Sequence, residues 1–149
     1  MTPVQCKVVA FATAAYQQTV QLRFNILRKP LGLTFTEEQL AQESNDFHLA
    51  AYMGAELGAC LVLTKVNAGE IKMRQVAVHE NYQGKGVGKQ LVKFSEEFAL
   101  QNGFGKMTLH ARETAIPFYI ALDYKTEGQP FTEVGLPHKK MYKLLTSAE

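Results

Sequence analysis

Residues 71–91 read IKMRQVAVHENYQGKGVGKQL and predict a β-strand, a glycine-rich turn and the start of a helix. The glycines at positions 84, 86 and 88 leave successive backbone N–H groups unobstructed by a Cβ atom. A helix that begins near Gly86 adds unpaired amides and the positive end of its dipole. The turn is therefore expected to bind an anion.

Two common phosphate-binding loops do not match this turn. A Walker A loop needs Gly at position 83 and Ser or Thr at position 90, and both positions are Gln. A dinucleotide-binding fingerprint that starts at Gly84 needs a third Gly where Lys89 stands, and no acidic residue follows at 102–106, where the ribose partner belongs. Nucleotide hydrolysis and dinucleotide binding are therefore disfavoured, although a nucleotide binder stays a rival interpretation.

The pattern Gln-x-x-Gly-x-Gly, formed by Gln83, Gly86 and Gly88, resembles motif A of the GCN5-related N-acetyltransferases, the GNAT superfamily. Further along, Ala115-x-x-Phe118-Tyr119 resembles the second half-site of that family. Three other segments resemble its ElaA/YjcF-like branch, and they are residues 28–33, 109–112 and 133–138. The resemblance therefore covers nearly the whole chain.

The resemblance implies one N-acetyltransferase domain over residues 1–149, of α/β class, with a mixed, mainly antiparallel sheet flanked by helices. It implies that acetyl-CoA is the co-substrate and that a small-molecule or peptide amine attacks it directly, without a metal or a covalent enzyme intermediate. The cofactor-binding residues implied are Val76, Ala77, Val78, Gln83, Gly84, Lys85, Gly86, Val87, Gly88, Lys89, Phe118 and Tyr119.

The strand at 71–78 contains a change of phase. Its apolar residues begin at the odd positions Ile71 and Met73 and end at the even positions Val76 and Val78. Such a change favours a β-bulge, which would open a gap beside the strand expected at 106–112. A pantetheine arm could pair there as an additional strand. A strand buried on both faces explains the pattern equally well.

The chemistry requires a group that takes a proton from the amine. An amine with a pKa near 10.4 is almost fully protonated at neutral pH, so a base or a water chain must act. The candidates are His110, Glu133 and His138, and His110 shares one face of its strand with Thr108 and Arg112. The alternatives are hydrogen-bonded structural histidines and, for Glu133, a solvated loop carboxylate.

The resemblance implies that Tyr119 protonates the leaving thiolate. A phenol of pKa about 10 facing a thiol of about 8.5 makes that transfer cost about 2 kcal/mol. Packing against Phe118 is the alternative role for this ring. A backbone N–H near Val78 could hold the oxyanion, because a fixed amide needs no side chain.

Arg28, Arg112 and Glu133 are the candidate substrate-binding residues. Arg112 stands where many family members have Asn, and it could contact CoA, a substrate carboxylate or a surface acid. Asp123 stands where many members have Gly. Arg23 and Arg28 invite the same carboxylate interpretation, with a solvated helix face as the alternative. A non-catalytic acyl-CoA-binding regulatory module, in which Tyr119 and the histidines only pack, is the rival function.

The hydrophobic pattern predicts the remaining elements. Strands are expected at 4–11, 48–53, 57–66, 70–78, 106–112 and 139–145, and helices at 13–28, 36–46, from near 86 to 102 and at 114–122. The helix after the glycine turn is expected to bury a face made by Val87, Leu91, Phe94 and Phe98. Residues 133–138 are expected to form a loop.

Composition excludes several classes of protein. The chain has 149 residues, 46% of them hydrophobic, which is enough for one buried core. Its formal charge of +2 is too small to indicate a nucleic-acid or membrane surface. Cys6 and Cys60 are expected to be reduced thiols in the cytoplasm. No apolar run reaches the length of a membrane span, and a homodimer is one option for the oligomeric state.

Overall fold

The computed structural model describes residues 3–146. Its strands are β1 (Val4–Val9), β2 (Phe47–Met53), β3 (Glu56–Lys65), β4 (Glu70–Val78), β5 (Lys106–Arg112), β6 (Lys125–Glu133) and β7 (Leu136–Leu144). Its helices are α1 (Ala14–Arg23), α2 (Glu37–Ala41), α3 (Val87–Gln101) and α4 (Ile116–Ile120). None of the helices in the described range is long and apolar enough to cross a membrane.

The strands form one sheet in the order β1-β2-β3-β4-β5-β7-β6. β4 pairs with β5 in parallel, whereas β1 with β2, β2 with β3, β5 with β7 and β6 with β7 are antiparallel. The α/β class with a mixed, mainly antiparallel sheet flanked by helices is thus confirmed.

The described chain divides into two compact units. The first runs to Thr64 and resumes at Gln75–Ser95, and the second comprises Lys65–Arg74 and the residues from Glu96 onward. The boundaries fall before the last residue of β3, inside β4 and inside α3. The assignment of residues 1–149 to a single domain stays a prediction.

In the first unit, α1 begins where the sequence predicts and ends earlier. The Thr13 side chain caps it by accepting the Tyr16 N–H at 3.2 Å. After Arg23 the chain continues as a π-helical turn and a 3₁₀ turn and stops at Gly32, whose φ is +70°. Because Pro30 has no N–H to donate and Gly32 adopts the left-handed conformation, a regular helix cannot pass through this segment.

The second helix is also shorter than expected. Thr36 and Gln39 form the predicted capping box, with Thr36 Oγ1 accepting the Gln39 N–H at 3.1 Å and Gln39 Oε1 accepting the Thr36 N–H at 3.0 Å. α2 then ends at Ala41 and a 3₁₀ turn, Gln42–Asn45, leads toward β2.

A buried ion pair joins this turn to α1. Arg23 is fully buried, and its Nη1 and Nη2 donate to the Glu43 carboxylate at 2.9 and 2.6 Å. Tyr16 Oη donates to the same carboxylate at 2.7 Å, and His48 Nε2 lies 2.9 Å from the Glu43 carbonyl oxygen. In the sequence analysis, Arg23 is interpreted as solvated or as a substrate contact. Both interpretations are wrong, because Arg23 is buried and both terminal nitrogens of its guanidinium donate to Glu43.

β4 changes its backbone conformation where the sequence pattern changes phase. Gln75 has a φ of +57°, a left-handed value that is uncommon outside glycine. Before it, Ile71 and Met73 are buried, and after it Ala77 is buried while Val76 and Val78 are only half-buried. The backbone of β4 is therefore distorted where the apolar pattern changes phase.

The buried stripe of α3 differs from the predicted one. Its buried residues are Val87, Gly88, Leu91, Val92, Ser95 and Ala99. Phe94 and Phe98 are half-buried and lie at the edges of that stripe. The small residues Ser95 and Ala99 lie in the middle of the stripe. A prediction based on large apolar residues does not include them.

The second unit contains a strand that the sequence analysis missed. β6 forms a hairpin with β7 through Val134 and Gly135, whose φ values are +46° and +76°. The expected loop at 133–138 is therefore wrong, and His138 lies in β7. β6 escaped detection because it is exposed along almost its whole length and contains Gly128 and Pro130, so no apolar alternation marks it.

Candidate active site

The segment between β4 and the glycine turn is held by short polar contacts in the first unit. The His79 N–H donates to the Gly58 carbonyl at 2.8 Å, and the Asn81 N–H donates to His79 Nδ1 at 3.1 Å. The Tyr82 hydroxyl donates to the Glu56 carboxylate. These contacts fix the path of the chain into the turn.

The turn itself depends on glycine. Gly84 and Gly86 have φ values of +73° and +81°, which residues with a Cβ rarely adopt. The Gln83 side chain does not point its amide at a free ligand site, since Nε2 donates to the Val78 carbonyl at 2.9 Å. Gln83 therefore ties the turn to the end of β4, and the glycines give the turn its shape.

The amides of this turn are available to an anion. The first hydrogen bond of α3 runs from the Gln90 N–H to the Gly86 carbonyl at 3.0 Å, so the amides of residues 87–89 have no partner within the helix. Among residues 3–146, no backbone hydrogen bond outside the regular elements uses an amide of residues 84–88 as donor. Lys85 and Lys89 are exposed beside them. A diphosphate fits this donor set.

The β4 residues expected along the pantetheine arm differ in burial. Ala77 packs its methyl group into a core cluster with Leu22 and Cys60. Val76 and Val78 are half-buried. Ala77 can therefore serve a ligand only through its backbone.

In the second unit, the structure brings His110, Glu133 and His138 together. Glu133 Oε1 lies 3.0 Å from His110 Nδ1, and Glu133 Oε2 lies 3.7 Å from His138 Nε2. Glu133 is 45% exposed and ends β6, and its carboxylate contacts histidines instead of standing free in a loop. Within residues 3–146, no set of three or more His, Cys, Asp or Glu side chains is arranged to hold a metal ion.

The hydrogen bonds assign protons to both histidines. Because a carboxylate only accepts, the contact with Glu133 places a proton on His110 Nδ1 and leaves Nε2 with a lone pair when the ring is neutral. His138 Nδ1 lies 2.9 Å from the Leu136 carbonyl and therefore also carries a proton. His110 is thus oriented by a carboxylate as a general base requires.

The strand register explains why these residues meet. His110 and Arg112 lie opposite Lys140 and His138 across the β5–β7 pair, so all four share a face. The Phe131 ring on β6 contacts His110 edge-on at 4.9 Å and stacks on His138 at 6.0 Å between ring centroids. The shared face of Thr108, His110 and Arg112 that the sequence predicts is confirmed by this register.

The carboxylate of Glu133 is ionised at neutral pH. Partial burial raises the pKa of Glu133. The hydrogen bond from His110 and the positive charges of His110, His138 and Lys72 lower it by a larger amount, so the pKa lies below the ordinary value for glutamate. Glu133 can therefore stabilise an imidazolium on either side.

Lys72 is a member of this cluster that sequence reasoning missed. Its Nζ lies 3.4 Å from His110 Nδ1. Burial lowers the pKa of Lys72, and the charges of Arg74 and Lys140 lower it further, against the opposing effect of Glu133. Its position in the sequence could have indicated this placement. β4 is parallel to β5 and pairs Lys72 with Thr108, which lies on the same face as His110.

Tyr119 lies in α4 and is only 7% exposed. Its ring contacts those of Phe118 and Tyr124 at 5.0 and 5.7 Å, while Phe118 itself is 39% exposed. Burial raises the pKa of Tyr119 above the ordinary tyrosine value, so its proton is harder to remove than the sequence analysis assumed. The pKa of the Tyr119 phenol therefore lies further above that of a thiol, which makes proton transfer to the thiolate less favourable.

The arginines proposed for substrate contact are both engaged. The Arg28 guanidinium lies over the Phe35 ring at 4.5 Å, and its Nη1 donates to the Thr34 carbonyl at 3.4 Å. Arg112 also interacts with the protein. Their roles as substrate-binding residues stay predictions.

Comparison with known proteins finds relatives that are similar in sequence and others that are similar in structure. The chain is 29% identical over 110 residues to the uncharacterized N-acetyltransferase YjcF of Bacillus subtilis (strain 168), covering 72% of this chain and 77% of that protein. It is similar in structure to Escherichia coli ElaA, with a TM-score of 0.78 and 18% identity, covering 95% of this chain and 99% of that one.

A GNAT family acetyltransferase from Elizabethkingia anophelis, solved with acetyl-CoA bound, superposes with a TM-score of 0.71 and 17% identity over 95% of this chain and 98% of that one. These structural likenesses show the shared fold. The family model for the acetyltransferase (GNAT) domain matches residues 27–145, which is most of the chain. This protein therefore belongs to the GNAT acetyltransferase family.

Proposed function

We propose that this chain transfers an acetyl group from acetyl-CoA to a primary amine by direct attack of the amine on the thioester. The observation that carries the proposal is the run of amides at residues 84–88, for which residues 3–146 supply no hydrogen-bond acceptor. Two left-handed glycines shape this run, and the positive end of α3 follows it. The acetyl-CoA bound to the related Elizabethkingia anophelis enzyme supports the choice of ligand.

The proposal assigns the diphosphate of CoA to the amides of residues 84–88, with the Lys85 and Lys89 ammonium groups beside it. Gln83 contributes by holding the turn to the Val78 carbonyl. The backbone of residues 76–78 is proposed to pair with the pantetheine arm, and the exposed ring of Phe118 to contact the ligand.

The proposal assigns the proton transfers to residues of the second unit. His110 Nε2 takes a proton from the ammonium form of the acceptor, and Glu133 stabilises the imidazolium through the proton on Nδ1. As the C–N bond forms and the C–S bond breaks, Tyr119 Oη donates a proton to the thiolate. The acylated nitrogen releases its second proton to solvent, and the tyrosinate regains a proton from solvent.

A non-catalytic acyl-CoA-binding module is the second candidate. The burial of Tyr119 and its raised pKa favour this module, because they make the phenol a weaker acid. In that module the loop would bind CoA and the aromatic and histidine side chains would only pack.

Binding and turnover measured on the same preparation test both candidates. Calorimetry with CoA and acetyl-CoA is expected to give saturable binding that ATP and NAD do not reproduce. Thiol release is expected to rise when a primary amine is added to protein and acetyl-CoA. Binding without amine-dependent release over a broad amine panel would establish the non-catalytic module, and absence of CoA binding would eliminate both.

A further inference from the structure

Lys72 is a half-buried cation that forms no ion pair with a carboxylate of residues 3–146. Its side chain lies on the face of β4 that meets His110, and Nζ is 3.4 Å from His110 Nδ1. None of the ion pairs in the described part of the chain includes Lys72. By contrast, three other lysines of the second unit each reach a carboxylate, namely Lys106, Lys140 and Lys143.

His110 Nδ1, the acceptor that the described residues offer Lys72 at hydrogen-bonding distance, is already in use. An ammonium only donates hydrogen bonds and a carboxylate only accepts them, so His110 Nδ1 cannot serve Lys72 and Glu133 in the same protonation state. Glu133 lies closer to that nitrogen, at 3.0 Å. When the proton on Nδ1 is donated to Glu133, the ammonium of Lys72 has no acceptor among residues 3–146.

The surroundings of Lys72 add further positive charge. Arg74 and Lys140 both lower its pKa, after the larger effect of burial, and only Glu133 opposes them. A half-buried ammonium with donors unused by the protein and with cationic neighbours is stabilised when a negative group approaches it. An anionic ligand would supply an acceptor for these donors and a negative charge in addition to that of Glu133.

We propose that Lys72 binds an anionic oxygen group of the acceptor, a carboxylate or a phosphate, so that the preferred acceptors are amines that carry such a group. The inference rests on the proposed function and deepens it, since it selects a substrate class for the same site. A lysine suits this role because its ammonium is a compact charge that accepts many approach directions. Polyamines, which carry only positive charge, are excluded by the same group.

The test compares matched acceptors on matched variants. Each amino acid of a panel is paired with its primary amide, and phosphoethanolamine is paired with ethanolamine, so that the two arms separate carboxylate from phosphate. kcat/KM is measured for the wild type, Lys72→Met and the control Lys106→Met. Lys106 lies on the same face but its charge already faces Glu70 at 3.8 Å.

In the wild type, at least one anionic acceptor is expected to exceed its neutral partner. Lys72→Met should lower kcat/KM for that acceptor by about 10- to 100-fold more than for the neutral partner, because only the anionic acceptor loses a hydrogen bond to a charged group. Lys106→Met should leave the ratio unchanged. Equal losses for both members of every pair, or a wild type that prefers the neutral partners, would overturn the inference.

Lys72→Arg provides a rescue and a pH test. It keeps the positive charge, so it should retain the anionic preference. In the wild type the preference should weaken as pH rises through the lowered pKa of Lys72, whereas in Lys72→Arg it should persist. A preference with the same pH profile in both proteins would contradict a role for the lysine charge.

Binding measurements separate a failure of the inference from a failure of the proposed function. Calorimetry of N-acetylated amino acids against N-acetylated amides, with CoA present, is expected to show tighter binding of the acids to the wild type but not to Lys72→Gln. If CoA binds but no amine is acetylated, the proposed function fails. If amines are acetylated but acids and amides bind alike, only the role of Lys72 fails.

Discussion

Glu133 Oε1 lies 3.0 Å from His110 Nδ1, although the two residues come from different strands and 23 positions separate them. The carboxylate fixes the tautomer of the imidazole and leaves Nε2 as its basic nitrogen. The pair therefore presents an imidazole nitrogen that is held in place by a carboxylate.

Replacing Glu133 with Gln should slow turnover without weakening CoA binding. Glutamine keeps the shape but removes the charge that stabilises the imidazolium, so kcat is expected to fall by about 10- to 100-fold. Steady-state kinetics and CoA calorimetry measure the two effects. Glu127→Gln is the matched control, since Glu127 lies on the same strand with the same 45% exposure and pairs with Lys140 instead. An unchanged kcat in Glu133→Gln would remove the pair from the mechanism.

Replacing Tyr119 with Phe should abolish most turnover while CoA still binds. Proton donation by a positioned side chain contributes about 10²- to 10⁴-fold, so a loss in that range is expected in kcat. Tyr124→Phe is the control, because the Tyr124 hydroxyl donates to Glu96 at 2.8 Å and has no proposed role in catalysis. If both variants retain full activity toward all amines, Tyr119 only packs.

Replacing Gly86 with Ala should weaken CoA binding through the backbone. An added Cβ would meet nothing within 4 Å, but the φ of +81° strains any other residue by about 1–2 kcal/mol. Relaxation of that strain would turn the amides away from the ligand, and CoA affinity is expected to fall on the order of tenfold. Gly69→Ala, at a glycine with equal space and no positive φ, should bind CoA normally. Equal affinities in the two variants would count against the loop.

Replacing Glu43 with Gln should destabilise the first unit. Arg23 is fully buried and would keep its charge without a counterion, so the free energy of unfolding is expected to fall by about 3–5 kcal/mol. Urea unfolding measures this change. Glu38→Gln, at an exposed position of α2, should change it by less than about 0.5 kcal/mol. A similar small change in Glu43→Gln would show that the pair does not hold α1 to the turn after α2.

Local chemistry made much of the fold and the cofactor loop predictable. Gly84 and Gly86 adopt the left-handed conformation that a sharp turn into a helix requires, and the capping box at Thr36 forms from two residues in one turn. The phase change in β4 falls where Gln75 adopts the left-handed conformation. In each case the residues that create the feature are neighbours in sequence, so their preferences act without help from the rest of the chain.

The sequence by itself determined the strand, glycine turn and helix of residues 71–91, because backbone freedom and amphipathic spacing are properties of adjacent residues. Only the tertiary structure decided that Lys72 lies beside His110, 38 positions away, and that Arg23 is buried against Glu43. It also decided that β6 is a strand, since an exposed edge strand is held by hydrogen bonds to β7 rather than by its own apolar pattern. Contacts of this kind depend on sheet register, which no single segment encodes.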